Sequence, residues 1–106
     1  MSISKESLIH KMPFQQQILL TAIYCYIKRE DALFVSFKQL QNELKRIYAS
    51  LNINPRPVSE HMLRELEQYA LVGVEKKQFE MRIPLKIALS EVEQAFQEHS
   101  VLKKFV

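Results

Sequence analysis

The chain has 106 residues, of which 47% are hydrophobic and 25% are charged, and its formal net charge at pH 7 is +3. This length suits one compact domain with a single small core. The single cysteine excludes a disulfide framework and indicates an intracellular protein. No apolar run reaches the roughly 18 residues that a membrane span needs, and the first segment lacks the apolar core of a signal peptide. We expect a soluble domain whose charge favours an anionic partner without requiring one.

Residues 1–11 show no sustained hydrophobic periodicity, which predicts a linker or the tail of an upstream module, followed by a domain over residues 12–106. Pro13 suits the first turn of a helix, because the amide hydrogen that proline lacks would have no partner there. Apolar residues then recur at spacings of three and four, which predicts a helix up to about Lys28. Its predicted buried face consists of Phe14, Ile18, Ala22, Ile23 and Tyr26.

The next segment predicts a short strand and a second helix. The apolar run at residues 33–35 indicates the strand, and Ser36 with Gln39 forms a capping-box pattern that starts the helix. The predicted buried stripe of this helix consists of Phe37, Leu40, Leu44, Ile47, Tyr48 and Leu51. The residues predicted to face solvent are Lys38, Glu43, Lys45 and Arg46.

Two prolines, Pro55 and Pro57, end the second helix, because each disfavours α geometry in the residue before it. Ser59 is predicted to cap a third helix. The predicted core face of this third helix consists of Met62, Leu63, Leu66 and Tyr69.

After Gly73, the only glycine, the apolar residues alternate with a period of two, which predicts a β-hairpin with its turn at residues 75–78. Its residues predicted to point inward are Val72, Val74, Phe79, Met81, Ile83 and Leu85. The opposite, more solvent-exposed face carries Glu80, Arg82 and Lys86. Ser90 with Glu93 is predicted to cap a last helix that buries Val92, Ala95 and Phe96. The order helix, strand, helix, helix, strand, strand, helix predicts a winged helix-turn-helix, a mainly α fold with a small β-hairpin in the α+β class.

The sequence predicts no catalytic, metal or cofactor site. One glycine cannot build a loop that cradles phosphates. His10, His61 and His99 lie far apart, and with a single cysteine they have no metal-ligand spacing. We therefore expect a binding module and no enzyme.

The third helix takes the place of a recognition helix, and its exposed face is acidic. Glu60, Glu65 and Glu67 oppose the phosphates that normally supply most of the affinity for DNA. Arg64 is a candidate for a contact with a guanine edge or a phosphate, and the alternative is an ion pair with Glu60, four residues before it.

The hairpin, or wing, is the stronger candidate for a DNA contact. It carries Lys76, Lys77, Arg82 and Lys86, which predicts a ribbon that follows phosphates or grips the minor groove. The alternative is a charged turn that only keeps a sheet edge soluble. Arg56, in the turn before the third helix, is expected to add to the same side.

Four segments carry a family resemblance: MPFQQQILLTAIYCYIK, VSFKQLQNELKRIYASLNI, VSEHMLRELEQYALVGVEK and LSEVEQAFQEHSVLKKFV. Over residues 12–106 they resemble the C-terminal winged-helix domain of the replication-initiator AAA+ family, which includes cell division control protein six and the largest origin recognition complex subunit. The patterns P-x-Q-Q-x-I-L and S-E-V-E-x-A-F are its most distinctive parts.

The resemblance implies a nuclear role in licensing replication origins. It implies contact with double-stranded origin DNA, and with origin recognition complex and replicative helicase subunits while the helicase is loaded. In such proteins an ATPase module precedes the winged helix, so ATP hydrolysis is expected outside this chain. The positions carried over are Arg64, Lys76, Lys77 and Arg82, and the isolated chain is expected to be a monomer.

Two other classes of function stay open. A sequence-specific transcription regulator requires Arg64 and His61 to contact bases. A protein-interaction winged helix of a multisubunit assembly predicts no measurable DNA affinity at moderate salt.

Overall fold

The computed structural model describes residues 4–106. Its helices are α1 (Lys5–Lys11), α2 (Phe14–Glu30), α3 (Phe37–Leu51), α4 (Glu60–Gln68) and α5 (Leu89–Phe96), followed by a short 3-10 helix at Leu102–Phe105. The strands β1 (Val35–Ser36), β2 (Glu75–Lys77) and β3 (Glu80–Ile83) form one antiparallel sheet in the order β1, β3, β2. This is the predicted winged-helix arrangement, with a helix added before it and a helical turn added after it.

Helix α1 corrects the prediction of an N-terminal linker. The Ser4 side chain caps the helix by accepting a hydrogen bond from the Ser7 amide, and Ile9 is fully buried in the core. The Gln17 side chain donates to the Ile9 carbonyl at 2.9 Å, and His10 Nε2 lies 2.6 Å from the Ala95 carbonyl oxygen. The described residues 4–11 therefore belong to the domain. With one buried side chain, so short a helix produces no periodicity that a sequence could show.

Helix α2 runs through the centre of the molecule. It starts directly after Pro13 and ends where Asp31 takes a left-handed conformation with φ 50°, two residues beyond the predicted end at Lys28. All residues from 16 to 24 are buried, including the polar Gln16, Gln17 and Thr21. A helix that is apolar on most sides is packed on most sides, so the predicted single face was too narrow. Phe14, at the edge of that predicted face, is 38% exposed.

The caps of α3 and α4 form as predicted. The Ser36 hydroxyl accepts a hydrogen bond from the Gln39 amide at 3.2 Å, the Gln39 side chain accepts one from the Ser36 amide, and Ser59 accepts one from the Met62 amide. The buried members of the two predicted stripes are Leu40, Leu44, Ile47, Tyr48, Leu63 and Leu66. Tyr69 is 37% exposed, because it lies beyond the last helical residue with φ −81° and ψ 1° and leaves the stripe.

Glu43 does not face solvent as predicted. Its side chain is 6% exposed and accepts hydrogen bonds from Arg29 of α2 and from Arg46 one turn further along α3. Both arginine side chains remain partly exposed. The carboxylate is therefore buried together with its counter-charges, which offset part of the cost of taking it out of water.

The predicted position of the wing turn is wrong. Residues 75–77 form strand β2, Lys76 pairs with Met81, and Lys77 pairs with Glu80. The turn therefore consists of Gln78 and Phe79, with Gln78 at φ 53°, as a tight two-residue hairpin requires. Phe79, which was predicted to point inward, is fully exposed in this turn.

The base of the wing is held by backbone hydrogen bonds around Gly73. The Gly73 amide donates to the Pro84 carbonyl, and the Lys86 amide donates to the Leu71 carbonyl, both at 2.9 Å. A Cβ atom on Gly73 would lie 2.8 Å from Lys86 Cε and 3.2 Å from Pro84 Cγ. The glycine thus permits a close approach of the Lys86 side chain.

Helix α5 begins one residue before the predicted cap, so the predicted Ser90–Glu93 capping box is wrong. Glu91 accepts a hydrogen bond from the Ala88 amide at 3.1 Å and takes over part of the capping. Glu93 instead accepts hydrogen bonds from Tyr24 at 2.5 Å and from Lys28 at 2.6 Å, which ties α5 to α2. The predicted core residues Val92, Ala95 and Phe96 are buried.

Across residues 4–106, no helix combines the length and the apolar character needed to cross a bilayer.

Candidate nucleic-acid interface

Helix α4 and the wing are joined by an ion pair at the face that the sequence singled out. Lys76 Nζ of the wing lies 2.9 Å from Glu60 Oε1 of α4, and Arg64 Nε lies 3.8 Å from Glu60 Oε2. The hydrogen bond from Lys76 is the main cause that lowers the pKa of Glu60 below its usual value. Lys76 and Arg64, two of the six residues predicted to contact DNA, therefore lie close together. Both are paired with the Glu60 carboxylate.

Arg64 is held on a second side as well. Its Nη1 donates to Glu67 Oε1 at 2.9 Å, and this hydrogen bond raises the pKa of the guanidinium above its usual value. The other oxygen of Glu67 accepts a hydrogen bond from the Val74 amide at 3.2 Å, at the base of the wing. The ion-paired alternative for Arg64 is therefore the one that the structure contains, and a base contact would require Arg64 to leave both acids.

His61 and Glu65 of α4 are also engaged. His61 Nε2 lies 2.9 Å from Glu65 Oε1, and Gln16 of α2 donates to Glu65 Oε2 at 2.5 Å. Reading of a base by His61 would likewise compete with an existing contact.

Arg82 lies between a carboxylate and an aromatic ring. Its Nε donates to Glu80 Oε2 at 2.9 Å, and its guanidinium carbon lies 4.7 Å from the centre of the Phe34 ring. Both contacts restrict the side chain, which is 38% exposed. Arg82 presents a fixed cation with its charge partly balanced.

The other three predicted contacts are Lys77, Lys86 and Arg56. Their residues are exposed, and within residues 4–106 they form no salt bridge. Lys77 is the last residue of β2, and Lys86 passes over Gly73 at the base of the wing. Arg56 lines a different depression, beside Lys45 and Tyr48. The structure therefore does not bring Arg56 together with the wing cations.

Sequence reasoning missed two features of this face. The Glu60–Lys76 ion pair joins residues that are distant in sequence, so no local spacing indicates it. Phe79 is exposed because the pairing of Lys77 with Glu80 leaves it in the turn, beyond the paired residues of both strands. A two-residue turn at residues 78–79 satisfies the same period-two alternation of apolar residues, so the sequence did contain a signal for the observed turn.

The three histidines form no metal site in the described part of the chain. No group of three or more His, Cys, Asp or Glu residues there is arranged to hold a metal ion. His99 accepts hydrogen bonds at Nδ1 from the Val101 and Leu102 amides, and His10 contacts Ala95, so both serve the fold.

Comparison with known proteins identifies the fold. No family model matches the chain, and no curated protein sequence matches it. Among solved structures, Drosophila ORC bound to DNA superposes with a TM-score of 0.79 at 18% identity, over 91% of this chain and 26% of that chain. Cdc6p from Pyrobaculum aerophilum superposes with a TM-score of 0.79 at 19% identity, over 97% of this chain and 27% of that chain.

The chain has the fold of the C-terminal winged-helix domain of the Cdc6 and Orc1 family. The resemblance found in the sequence is thus confirmed at the level of the fold. The winged-helix chain spans about a quarter of the length of the two initiator chains it matches.

Proposed function

We propose that this chain is the DNA- and protein-binding winged-helix domain of a nuclear replication licensing factor. In this proposal it binds double-stranded origin DNA and contacts origin recognition complex and helicase subunits while the replicative helicase is loaded. The support is the shared fold, together with a neighbour described as ORC bound to DNA. ATP hydrolysis belongs, in the same proposal, to a module outside this chain.

Lys77 and Lys86 are the residues proposed to carry the duplex contact. They are the wing cations without a carboxylate in contact among residues 4–106, so they can bind phosphates without first breaking an internal ion pair. Lys76 and Arg82 contribute less, because Glu60 and Glu80 already balance part of their charge. Arg64 contributes least, since it is bound by two acids.

The test is a salt titration of duplex binding with charge-reversal variants. We expect Lys77→Glu with Lys86→Glu to weaken binding to an origin duplex and to a scrambled duplex alike. Loss of two phosphate contacts should flatten the slope of log K against log salt by about 1.8, at about 0.9 per contact. Arg64→Ala should change the slope by less.

The matched control is Lys11→Glu with Lys103→Glu, which makes the same change of net charge at exposed lysines of α1 and the 3-10 helix. Equal weakening by the control would show that only net charge matters and would contradict a wing contact. If Arg64→Ala abolishes discrimination between the duplexes while the wing variant binds normally, helix α4 reads sequence as in a transcription regulator.

A second candidate function is a protein-interaction module of a multisubunit assembly. The observation that favours it is the acidic face of α4, where Glu60, Glu65 and Glu67 neutralise nearby cations and leave little charge for DNA. Absence of duplex binding by the wild-type chain at low salt would support this candidate and contradict the first.

A further inference from the structure

A second basic surface runs along α3 on the side where Arg56 lies. Lys38, Gln41 and Lys45 are spaced by three and four residues, so they share one face of the helix. Lys38 and Gln41 line an open depression of about 450 Å³ together with Phe79 of the wing turn. Gln41 and Lys45 line a second depression of about 260 Å³ together with Arg56. Because Gln41 belongs to both, the two depressions form one continuous surface, which we name the α3 track.

The charge of the α3 track is not balanced from within the described molecule. Lys38, Lys45 and Arg56 form no salt bridge in residues 4–106. The acid of α3, Glu43, is buried and held by Arg29 and Arg46. The acid that lines the track is Glu80, which is paired with Arg82 at 2.9 Å. The track therefore presents unneutralised positive charge and suits a polyanion.

Phe79 gives the α3 track an aromatic platform. The ring is fully exposed, so core packing does not account for it. An exposed aromatic ring beside a row of cations suits unpaired bases, because the ring stacks on a base face while the cations bind the phosphates. Bases inside a duplex are already stacked on each other and present no free face to such a ring.

We propose that the α3 track binds single-stranded DNA, with an unpaired base stacked on Phe79 and phosphates bound by Lys38, Lys45 and Arg56. This goes beyond the duplex contact proposed for Lys77 and Lys86. It uses a different set of cations, so the two proposals can fail separately.

The first test places a reporter at the platform. The chain contains no tryptophan, so Phe79→Trp introduces a single one. We expect a 12-nucleotide oligothymidylate to quench its fluorescence at low salt, because stacking brings the base against the indole ring. The matched control is Leu33→Trp, at a residue that is 87% exposed and lies outside both depressions. Equal quenching of the two tryptophans, or quenching of neither, would overturn the proposal.

The second test measures the contributions of the cations and of the Phe79 ring to binding separately. Binding is followed by the fluorescence anisotropy of a labelled oligothymidylate. Lys38→Gln with Lys45→Gln should flatten the salt slope by about 1.4, at about 0.7 per contact on a single strand. Phe79→Ala should weaken binding by roughly 5- to 150-fold, whereas Phe79→Trp should bind as the wild type does. Lys11→Gln with Lys103→Gln is the control for net charge and should bind normally. A control that weakens binding as much as the α3 double variant would overturn the proposal.

The third test distinguishes the ligand and separates this proposal from the proposed function. Polyglutamate at matched charge should leave the Phe79→Trp fluorescence unchanged, and oligouridylate should bind no more tightly than oligothymidylate. Quenching by polyglutamate, or a preference for oligouridylate, would overturn single-stranded DNA as the occupant. The α3 double variant should retain duplex binding. A wild-type chain that binds oligothymidylate but not the duplex would overturn the proposed function. A wild-type chain that binds the duplex but not oligothymidylate would overturn this inference.

Discussion

The His99 ring contacts α2 and the start of the 3-10 helix. Its Nδ1 accepts hydrogen bonds from the Val101 and Leu102 amides at 3.1 and 3.0 Å, so Nε2 carries the proton and lies 3.2 Å from Gln17 Oε1. The ring also stacks on Phe14, with the centroids 5.9 Å apart. Burial lowers the pKa of His99 below its usual 6.5, and the nearby His10 lowers it further. The folded chain therefore favours the neutral ring.

We expect the domain to lose stability as the pH falls from about 7 to 5. A lowered pKa means that the unfolded chain takes up the proton first, so the stabilisation from neutral His99 is present above the unfolded pKa and is lost as the pH falls towards the folded pKa. His99→Gln should reduce the change in urea midpoint between pH 7 and pH 5. Glu60 and Glu93, whose pKa values are lowered, titrate below this range. An unchanged pH dependence in His99→Gln would assign the effect to other groups.

Single residues show where sequence patterns stop being informative. Ser36 and Ser59 were predicted correctly because a cap is a contact between near neighbours along the chain. Glu43 was predicted wrongly because its burial depends on Arg29, which comes from another helix. Most of the fold and the Glu60–Arg64 ion pair within α4 were readable from such local patterns, whereas ion pairs between different elements were not.

At the scale of elements, α1 fastens the N-terminal part of the described chain to α2 and α5. Ile9 is fully buried, and its carbonyl accepts the Gln17 hydrogen bond. We expect Ile9→Ala to lower the free energy of unfolding by about 2 to 5 kcal/mol, because it removes buried methyl groups and leaves a cavity. Urea denaturation measures the change. Lys11→Ala, at an exposed position of the same helix, should stay within about 0.5 kcal/mol. A loss for Ile9→Ala as small as that would mean that α1 contributes little to the core.

The contact between α4 and the wing leads to a gain-of-binding prediction. Glu60→Gln removes the carboxylate that holds Lys76, so we expect tighter duplex binding and a salt slope steeper by about 0.9. Glu98→Gln, an exposed acid that lines a depression beside His10 and His99, makes the same change of net charge away from the wing. Equal tightening by both variants would contradict a specific release of Lys76. The measurement is the same duplex titration over salt.

Sequence reasoning misplaced the wing turn and the start of α5 for two different physical reasons. The wing turn and the start of α5 were assigned from patterns that fit locally, but strand pairing between Lys77 and Glu80 and the Glu91 cap set their actual positions. The pairing extends β2 through Lys77 and leaves Phe79 in the turn, while Met81 and Ile83 keep their predicted inward positions. Sequence reasoning assigned Phe79 to the core, so the platform of the α3 track was not foreseen.

At the scale of the whole molecule, one hydrophobic core links every helix. The buried residues extend from Ile9 near the start of the described chain to Leu102 near its end. We expect a single cooperative thermal transition, and EDTA or ATP should not shift its midpoint, since no metal-holding group occurs in residues 4–106. Calorimetry with and without each additive checks this. Two separate transitions, or a clear shift with either additive, would contradict it.

Gly73 is uncharged, but it affects the position of the Lys86 ammonium group, because the Lys86 side chain lies directly over it. Its φ is not positive, so the backbone there does not require glycine, and the space above it is occupied by the end of the Lys86 side chain. An added methyl group would displace this flexible side chain and move its ammonium group, and it would also lie only 3.2 Å from Pro84 Cγ. A substitution that leaves every charge in the sequence intact would thus rearrange the electrostatic surface of the wing. Gly73 therefore determines where the ammonium group of Lys86 lies, and Lys86 is one of the two wing cations that we propose to bind phosphates.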